Sequence, residues 1–85
     1  MNSPVVLITG AAKRIGREIA LTFARAGWDV VVHYGQSASE AQHTVEDIRA
    51  LGTKAIALQA DLSNQTQTLD LLDRAYHSFG RLDAV

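Results

Sequence analysis

Val5-Val-Leu-Ile8-Thr9-Gly10-Ala11-Ala12-Lys13-Arg14-Ile15-Gly16 decides the fold. Its four leading apolar residues read as a short strand buried on both faces, the kind found inside parallel sheets. Thr9-Gly10-Ala11-Ala12 follows as a turn. Beyond it Ile15, Ile19 and Phe23 recur at spacing four, with Ala20, Ala24 and Ala26 beside them, which predicts one apolar helix face. Gly27 stops that helix. A buried strand, a tight turn and an amphipathic helix make the opening of a βαβ unit.

The alternation continues outward. Asp29-Val-Val-Val-His-Tyr34 predicts a second strand, bounded by Gly35. Ser37 and Glu40 stand three apart and predict a capping box. The helix they open has Ala41, Val45 and Ile48 on its buried face and ends at Gly52. Lys54 to Ala60 predicts a third strand. Asp61-Leu-Ser-Asn64 is a turn into a third helix, capped by Ser63 or Asn64, with Leu69, Leu72, Tyr76 and Phe79 inside and Gly80 at its close. Leu82 to Val85 predicts a fourth strand. Crossovers of this length force parallel pairing and right-handed connections. The predicted class is α/β, a Rossmann-like doubly wound parallel sheet of which the chain holds the first half, β-α-β-α-β-α-β.

Composition agrees with one domain or part of one. The 85 residues are 47% hydrophobic and 20% charged, ordinary for a globular chain. Eight Lys+Arg against nine Asp+Glu give a formal charge of −1, which argues against a nucleic-acid partner held by bulk positive charge. No cysteine is present, so disulfides, thiolate zinc sites and a cysteine nucleophile are excluded. The apolar runs are far too short to span a membrane, and Met1-Asn-Ser-Pro4 carries no positive n-region. A cytoplasmic location is the expectation. His43 and His77 have no partner at metal-ligand spacing, so no metal site is expected.

The chemistry concentrates in the first turn. A helix N-terminus offers unpaired N–H groups and the positive end of the macrodipole, and together they bind phosphate. Gly10 permits the tight turn, and Gly16 lets the helix pack closely on the sheet or lets a ligand approach the backbone. A dinucleotide fold that takes NAD places an acid at the end of its second strand, against the ribose 2′-OH. Here that end is His33-Tyr34-Gly35. Asp29 begins the same strand, about 16 Å away at ~3.3 Å per residue, and belongs with the Gly27-Trp28-Asp29 turn. Without an acid there, a 2′-phosphate meets no repulsion. Lys13 and Arg14 supply positive charge, and Ser37 adds a hydroxyl and a helix start. NADP is therefore expected over NAD.

Thr9-Gly10-x-x-x-x-x-Gly16 resembles the turn of the short-chain dehydrogenase/reductase family, Thr-Gly-x-x-x-Gly-x-Gly, with Arg14 at the middle glycine. Thr9-Gly-Ala-Ala-Lys-Arg-Ile-Gly16 in full resembles its pteridine reductase branch. His33-Tyr34 followed by Ser37-Ala-Ser-Glu-Ala41, Gln59-Ala-Asp-Leu-Ser63 and Phe79-Gly-Arg-Leu-Asp83 resemble the same branch or family. The resemblance implies cofactor contacts at Gly10, Lys13, Arg14, Ile15, Gly16, His33, Tyr34, Ser37, Asp61 and Leu62. It implies a phosphate-binding role for Ser37 and contact of Arg14 with both cofactor and a bound pterin. Asp61 and Leu62 would line the adenine pocket, the carboxylate accepting from the adenine amino group and the Leu62 N–H donating to a ring nitrogen; a helix-capping Asp61 is the alternative. Asp83 would be structural.

The family's chemistry uses a tyrosine and a lysine four apart, the lysine lowering the tyrosine's pKa. Tyr34 plus four is Ala38 and Tyr76 plus four is Gly80, so no catalytic residue is assigned within the chain. The resemblance thus implies the NADP-binding portion of an oxidoreductase, residues 1–85 being the N-terminal part of a single dinucleotide-binding domain. The expected partner is a small-molecule substrate, a pteridine or dihydrofolate-like ring, and the full-length enzyme would be a homo-oligomer. An oxoacyl or sugar reductase, or a nucleotide-binding module without chemistry, stays open.

Overall fold

The computed structural model describes residues 3–85. Its elements run β1 (Val5–Ile8), α1 (Arg14–Arg25), β2 (Asp29–Tyr34), α2 (Ala38–Ala50), β3 (Ala55–Gln59) and α3 (Gln65–Phe79). The three strands are parallel in the order β1-β2-β3, with Val5 opposite Asp29 and Val30 opposite Ala55. The predicted fourth strand is reduced to one parallel bridge, Ala84 to Val6. It lies on the β1 edge away from β2, held by Leu7 N–H to the Ala84 carbonyl at 3.0 Å. The spatial order is therefore β3-β2-β1 and then the 82–85 segment, the arrangement in which chain direction across the sheet reverses beside β1.

Alternation along β1 builds two cores, as strand geometry requires. Val6 and Ile8 join Val30 and Val32 beneath α1 and α2. Val5 and Leu7 join Val31 beneath α3. Each fully buried Val or Leu of these strands contributes roughly 1.5–3 kcal/mol over the exposed state. No helix among the described residues is long and apolar enough to cross a membrane.

Two helices are rotated from the expected face. Of the Ile15-Ile19-Phe23 stripe of α1, Ile15 and Ile19 turn outward, 77% and 42% exposed, Phe23 stays half-buried against the core, and Ala20, Leu21 and Ala24 face the sheet. The reason is steric. Gly16, Ala20 and Ala24 form a stripe of small side chains at spacing four, one position along from the isoleucines, and only that stripe allows the close approach α1 makes. On α3 the buried residues are Leu71 and Ala75, with Phe79 half-buried, while Leu69, Leu72 and Tyr76 are exposed. The α2 face is as expected, Ala41, Val45 and Ile48 buried, with Thr44 added.

Caps also divide. Asn64 caps α3 by accepting the Gln67 N–H at 3.0 Å, and Gly80 closes that helix in the left-handed region. Ser37 is the N-cap residue of α2, but its side chain makes no cap bond, so no capping box forms. Glu40 reaches Lys13 Nζ instead, at 3.9 Å.

The 82–85 segment is tied to β1 by charge as well as by backbone. Asp83 Oδ2 accepts the Val5 N–H at 2.9 Å, and Arg81 pairs with the same carboxylate. The Arg81 guanidinium first, and then the Val5 N–H, hold the Asp83 carboxyl below its ordinary range. The ionised, bonded form thus belongs to the folded state. The tie is complete above the ordinary carboxylate value of about 3.9 and is lost as pH falls through the lower folded value. Acid titration followed by amide exchange should show Val5 and Leu7 losing protection below pH ~4 in wild type. The Asp83→Asn variant should already lack that step.

Candidate functional site

The carboxyl ends of β1, β2 and β3 open on one edge of the sheet, the edge at which open α/β sheets bind ligands. The turn after β1 supplies the first wall. Gly10 has φ +61°, in the left-handed region. Gly16 faces its carbonyl so closely that an added Cβ would lie 2.0 Å from Gly10 O and 2.7 Å from Gly10 C. Of the two roles open for Gly16, close packing is the one the geometry displays. Arg14 has φ +58°, the only positive-φ non-glycine among the described residues. The turn demands that conformation at position 14, which explains why the resembling pattern carries glycine there.

The second wall comes from β2. His33 is 4% exposed and hydrogen-bonded at both ring nitrogens. Nδ1 accepts the Gly10 N–H at 3.0 Å, and Nε2 donates to the Ala60 carbonyl at 2.9 Å. The His33 carbonyl accepts the Ala11 N–H at 3.0 Å. His33 was expected to contact the cofactor, but no ring nitrogen remains for a ligand. Its bonds also occupy the Gly10 and Ala11 amides. The first-turn amides of α1, Arg14, Ile15 and Gly16, have by helix geometry no intrahelical acceptor, and the Lys13 side chain does not cap them.

Behind the turn sits Thr44, fully buried on α2. Its hydroxyl donates to the Ala12 carbonyl at 3.0 Å and accepts from Arg17 Nη1 at 3.1 Å. Arg17 is itself paired with Asp47. Sequence reasoning missed both Thr44 and Arg17. The available signal was a hydroxyl residue on the Ala41-Val45-Ile48 face, where an apolar one belongs.

The third wall follows β3. Asp61 Oδ1 accepts the Ser63 N–H at 3.0 Å and the Ser63 hydroxyl at 2.6 Å, and the Asp61 N–H donates to Gln67 Oε1 at 2.9 Å. Asp61 therefore shapes the turn and does not cap α3. The Ser63 hydroxyl, and then its backbone N–H, lower the Asp61 carboxyl from its ordinary value, so it is ionised at neutral pH. His33, Gly35, Gln36, Gln59, Ala60, Asp61, Leu62 and Ser63 line a cleft of about 460 Å3 between the β2 and β3 ends. A larger groove, about 530 Å3, runs along the outer face of α1 past Ile15, Ile19 and Phe23. That groove is lined by α1 alone and touches no strand end; it meets the site at Arg14 and Ile15.

Around these walls Lys13 and Arg14 are exposed, and Tyr34 and Ser37 are half-buried. Asp29 lies at the opposite end of β2, buried, accepting the Lys54 N–H at 2.9 Å. No carboxylate stands at the carboxyl end of β2 itself.

The profile of the family described as short chain dehydrogenase matches residues 4–85. A short-chain dehydrogenase/reductase of Pestalotiopsis microspora is 45% identical over 85 residues, covering 100% of this chain and 32% of that protein. The hydroxynaphthalene reductase of Aspergillus fumigatus is 44% identical over 85 residues, covering 100% of this chain and 31% of its own length. The crystal structure of a Burkholderia cenocepacia dehydrogenase with bound NADP superimposes with a TM-score of 0.93 at 38% identity, over 96% of this chain and 32% of that one. The chain thus spans about a third of the length of the relatives it matches.

Proposed function

This chain belongs to the short-chain dehydrogenase family, and we propose that it forms the NADP-binding portion of a reductase that delivers hydride from NADPH to a small substrate. Residues 1–85 would be the N-terminal part of one dinucleotide-binding domain. One observation carries the reading. The first turn of α1 begins at Arg14 with no side-chain cap over its amides and with Lys13 and Arg14 exposed, and β2 ends without a carboxylate before Ser37 opens α2. The Burkholderia structure with NADP bound supports the same cofactor.

Bound NADPH would supply the hydride. The residues of this chain bind and orient it. The amides of Arg14 to Gly16 would take the pyrophosphate, gaining roughly 0.3–1 kcal/mol from the helix dipole and ~2 kcal/mol where partly buried. Arg14, Lys13 and Ser37 would take the 2′-phosphate, with Tyr34 beside them. Glu40 does not cancel Lys13, because an exposed pair of this kind is worth about 0–1 kcal/mol and a phosphate can displace it. Asp61, ionised, would accept from the adenine amino group, and Leu62 N–H would donate to the ring. No described residue is assigned proton transfer. For the hydride acceptor, the names of two relatives, a hydroxynaphthalene reductase and a versicolorin reductase, favour a hydroxylated ring compound over the pteridine that the branch resemblance suggests.

Titration of NADPH and NADH against wild type and Ser37→Asp tests the 2′-phosphate assignment. A carboxylate at position 37 should weaken NADPH about tenfold, from lost hydrogen bonding and repulsion, and leave NADH within about threefold. Equal losses for both would remove Ser37 from the phosphate site.

A further inference from the structure

We propose that His33 is the positioning residue of the phosphate turn: its imidazole holds the Gly10 N–H and its backbone carbonyl the Ala11 N–H, which leaves the α1 amides as the anion grip. The proposal rests on the NADP reading above. His33 is one residue from the end of β2, yet it reaches both neighbours of that strand. Its Nδ1 holds the Gly10 N–H after β1 at 3.0 Å, and its Nε2 holds the Ala60 carbonyl after β3 at 2.9 Å. A carbonyl only accepts, so Nε2 carries the proton. Nδ1 is then the bare acceptor that the Gly10 N–H needs, and one tautomer satisfies both bonds.

The consequence reaches the site through Gly10. The imidazole fixes the Thr9–Gly10 peptide through the Gly10 N–H, and the His33 carbonyl fixes the next peptide through the Ala11 N–H; between them they hold in place the Gly10 carbonyl that faces Gly16, the contact that leaves no room for a Cβ. The same ring fixes Ala60, a buried residue directly ahead of Asp61 and Leu62. One rigid side chain therefore couples the pyrophosphate wall to the adenine wall, and it does so without touching a phosphate. Because the pyrophosphate is common to both dinucleotides, its removal should weaken NADPH and NADH alike, unlike Ser37→Asp.

The test has two parts. In wild type, nitrogen-15 NMR of the imidazole should show the Nε2–H tautomer, with a slowly exchanging Gly10 amide. Dinucleotide titrations, made on the folded fraction, then compare wild type with His33→Leu and His33→Gln. Leucine keeps the bulk and deletes both bonds, and it should weaken NADPH and NADH by the same factor, about tenfold. Glutamine offers one acceptor and one donor and should recover affinity to within about threefold. The Nδ1–H tautomer in wild type overturns the proposal even if the leucine variant fails to fold. So does a His33→Leu protein that binds as wild type does, or a loss confined to NADPH. A wild-type chain that binds neither dinucleotide overturns the NADP reading itself, and the positioning role with it.

Discussion

Gly16→Ala is expected to abolish dinucleotide binding, by more than about 100-fold, and to destabilise the chain by at least ~1–3 kcal/mol. The new methyl would sit 2.0 Å from the Gly10 carbonyl oxygen and 2.7 Å from its carbon. Both are backbone atoms, so no side chain can rotate out of the way. Gly10 cannot retreat either, since its N–H is held by His33 and the next N–H by the His33 carbonyl. What moves is then α1. Lifting it separates Ala20 and Ala24 from the sheet and redirects the first-turn amides together. Urea unfolding reads the first effect and NADPH titration the second. Affinity kept within about threefold of wild type would mean the turn has slack and its geometry does not set the grip.

Arg14→Gly is expected to separate stability from binding. A non-glycine residue in the left-handed region costs about 1–2 kcal/mol, and Arg14 sits there at φ +58°. Glycine removes that strain but loses ~0.5–1 kcal/mol to the greater freedom of the unfolded chain. The balance is a fold as stable as wild type or up to about 1.5 kcal/mol more stable. Affinity for NADPH should meanwhile fall about thirtyfold, near 2 kcal/mol, through loss of charge-assisted bonds to phosphate. Unfolding midpoints and titrations on the same two proteins check both halves. An Arg14→Gly protein that binds NADPH as tightly as wild type would leave the strain at position 14 without a function.

The layers of the fold were legible in short apolar runs and glycine stops. Val5–Ile8 and Asp29–Tyr34 stand where the sequence puts them, and Asn64 and Gly80 bracket the third helix as expected. The rotation of the helices was not legible. Periodicity locates an apolar stripe, and the largest side chains mark it most strongly. In α1 the isoleucine stripe lies one position from the Gly16-Ala20-Ala24 stripe, and close approach to the sheet selects the smaller one. In α3 the same one-position offset separates Leu72 and Tyr76 from Leu71 and Ala75. Leu82 to Val85 reads as a strand, but only Ala84 pairs.

At the site, the glycine turn and the missing acid on β2 were readable because local chain chemistry sets them. His33 was not. Its role depends on Gly10 and Ala60, 23 and 27 residues away, and nothing local marks a strand-end histidine as internally satisfied. Thr44 is the same case, its Ala12 partner 32 residues distant.

The most direct test is amide NMR of the chain during addition of NADP+ and then of NAD+. Saturable shifts should appear at Arg14, Ile15, Gly16 and Leu62 with both, and at Ser37 with NADP+ far more than with NAD+. Shifts confined to the other end of the sheet, around Asp29, Lys54 and Arg81, or no saturable shift at Arg14 to Gly16, would contradict phosphate binding by the first turn of α1.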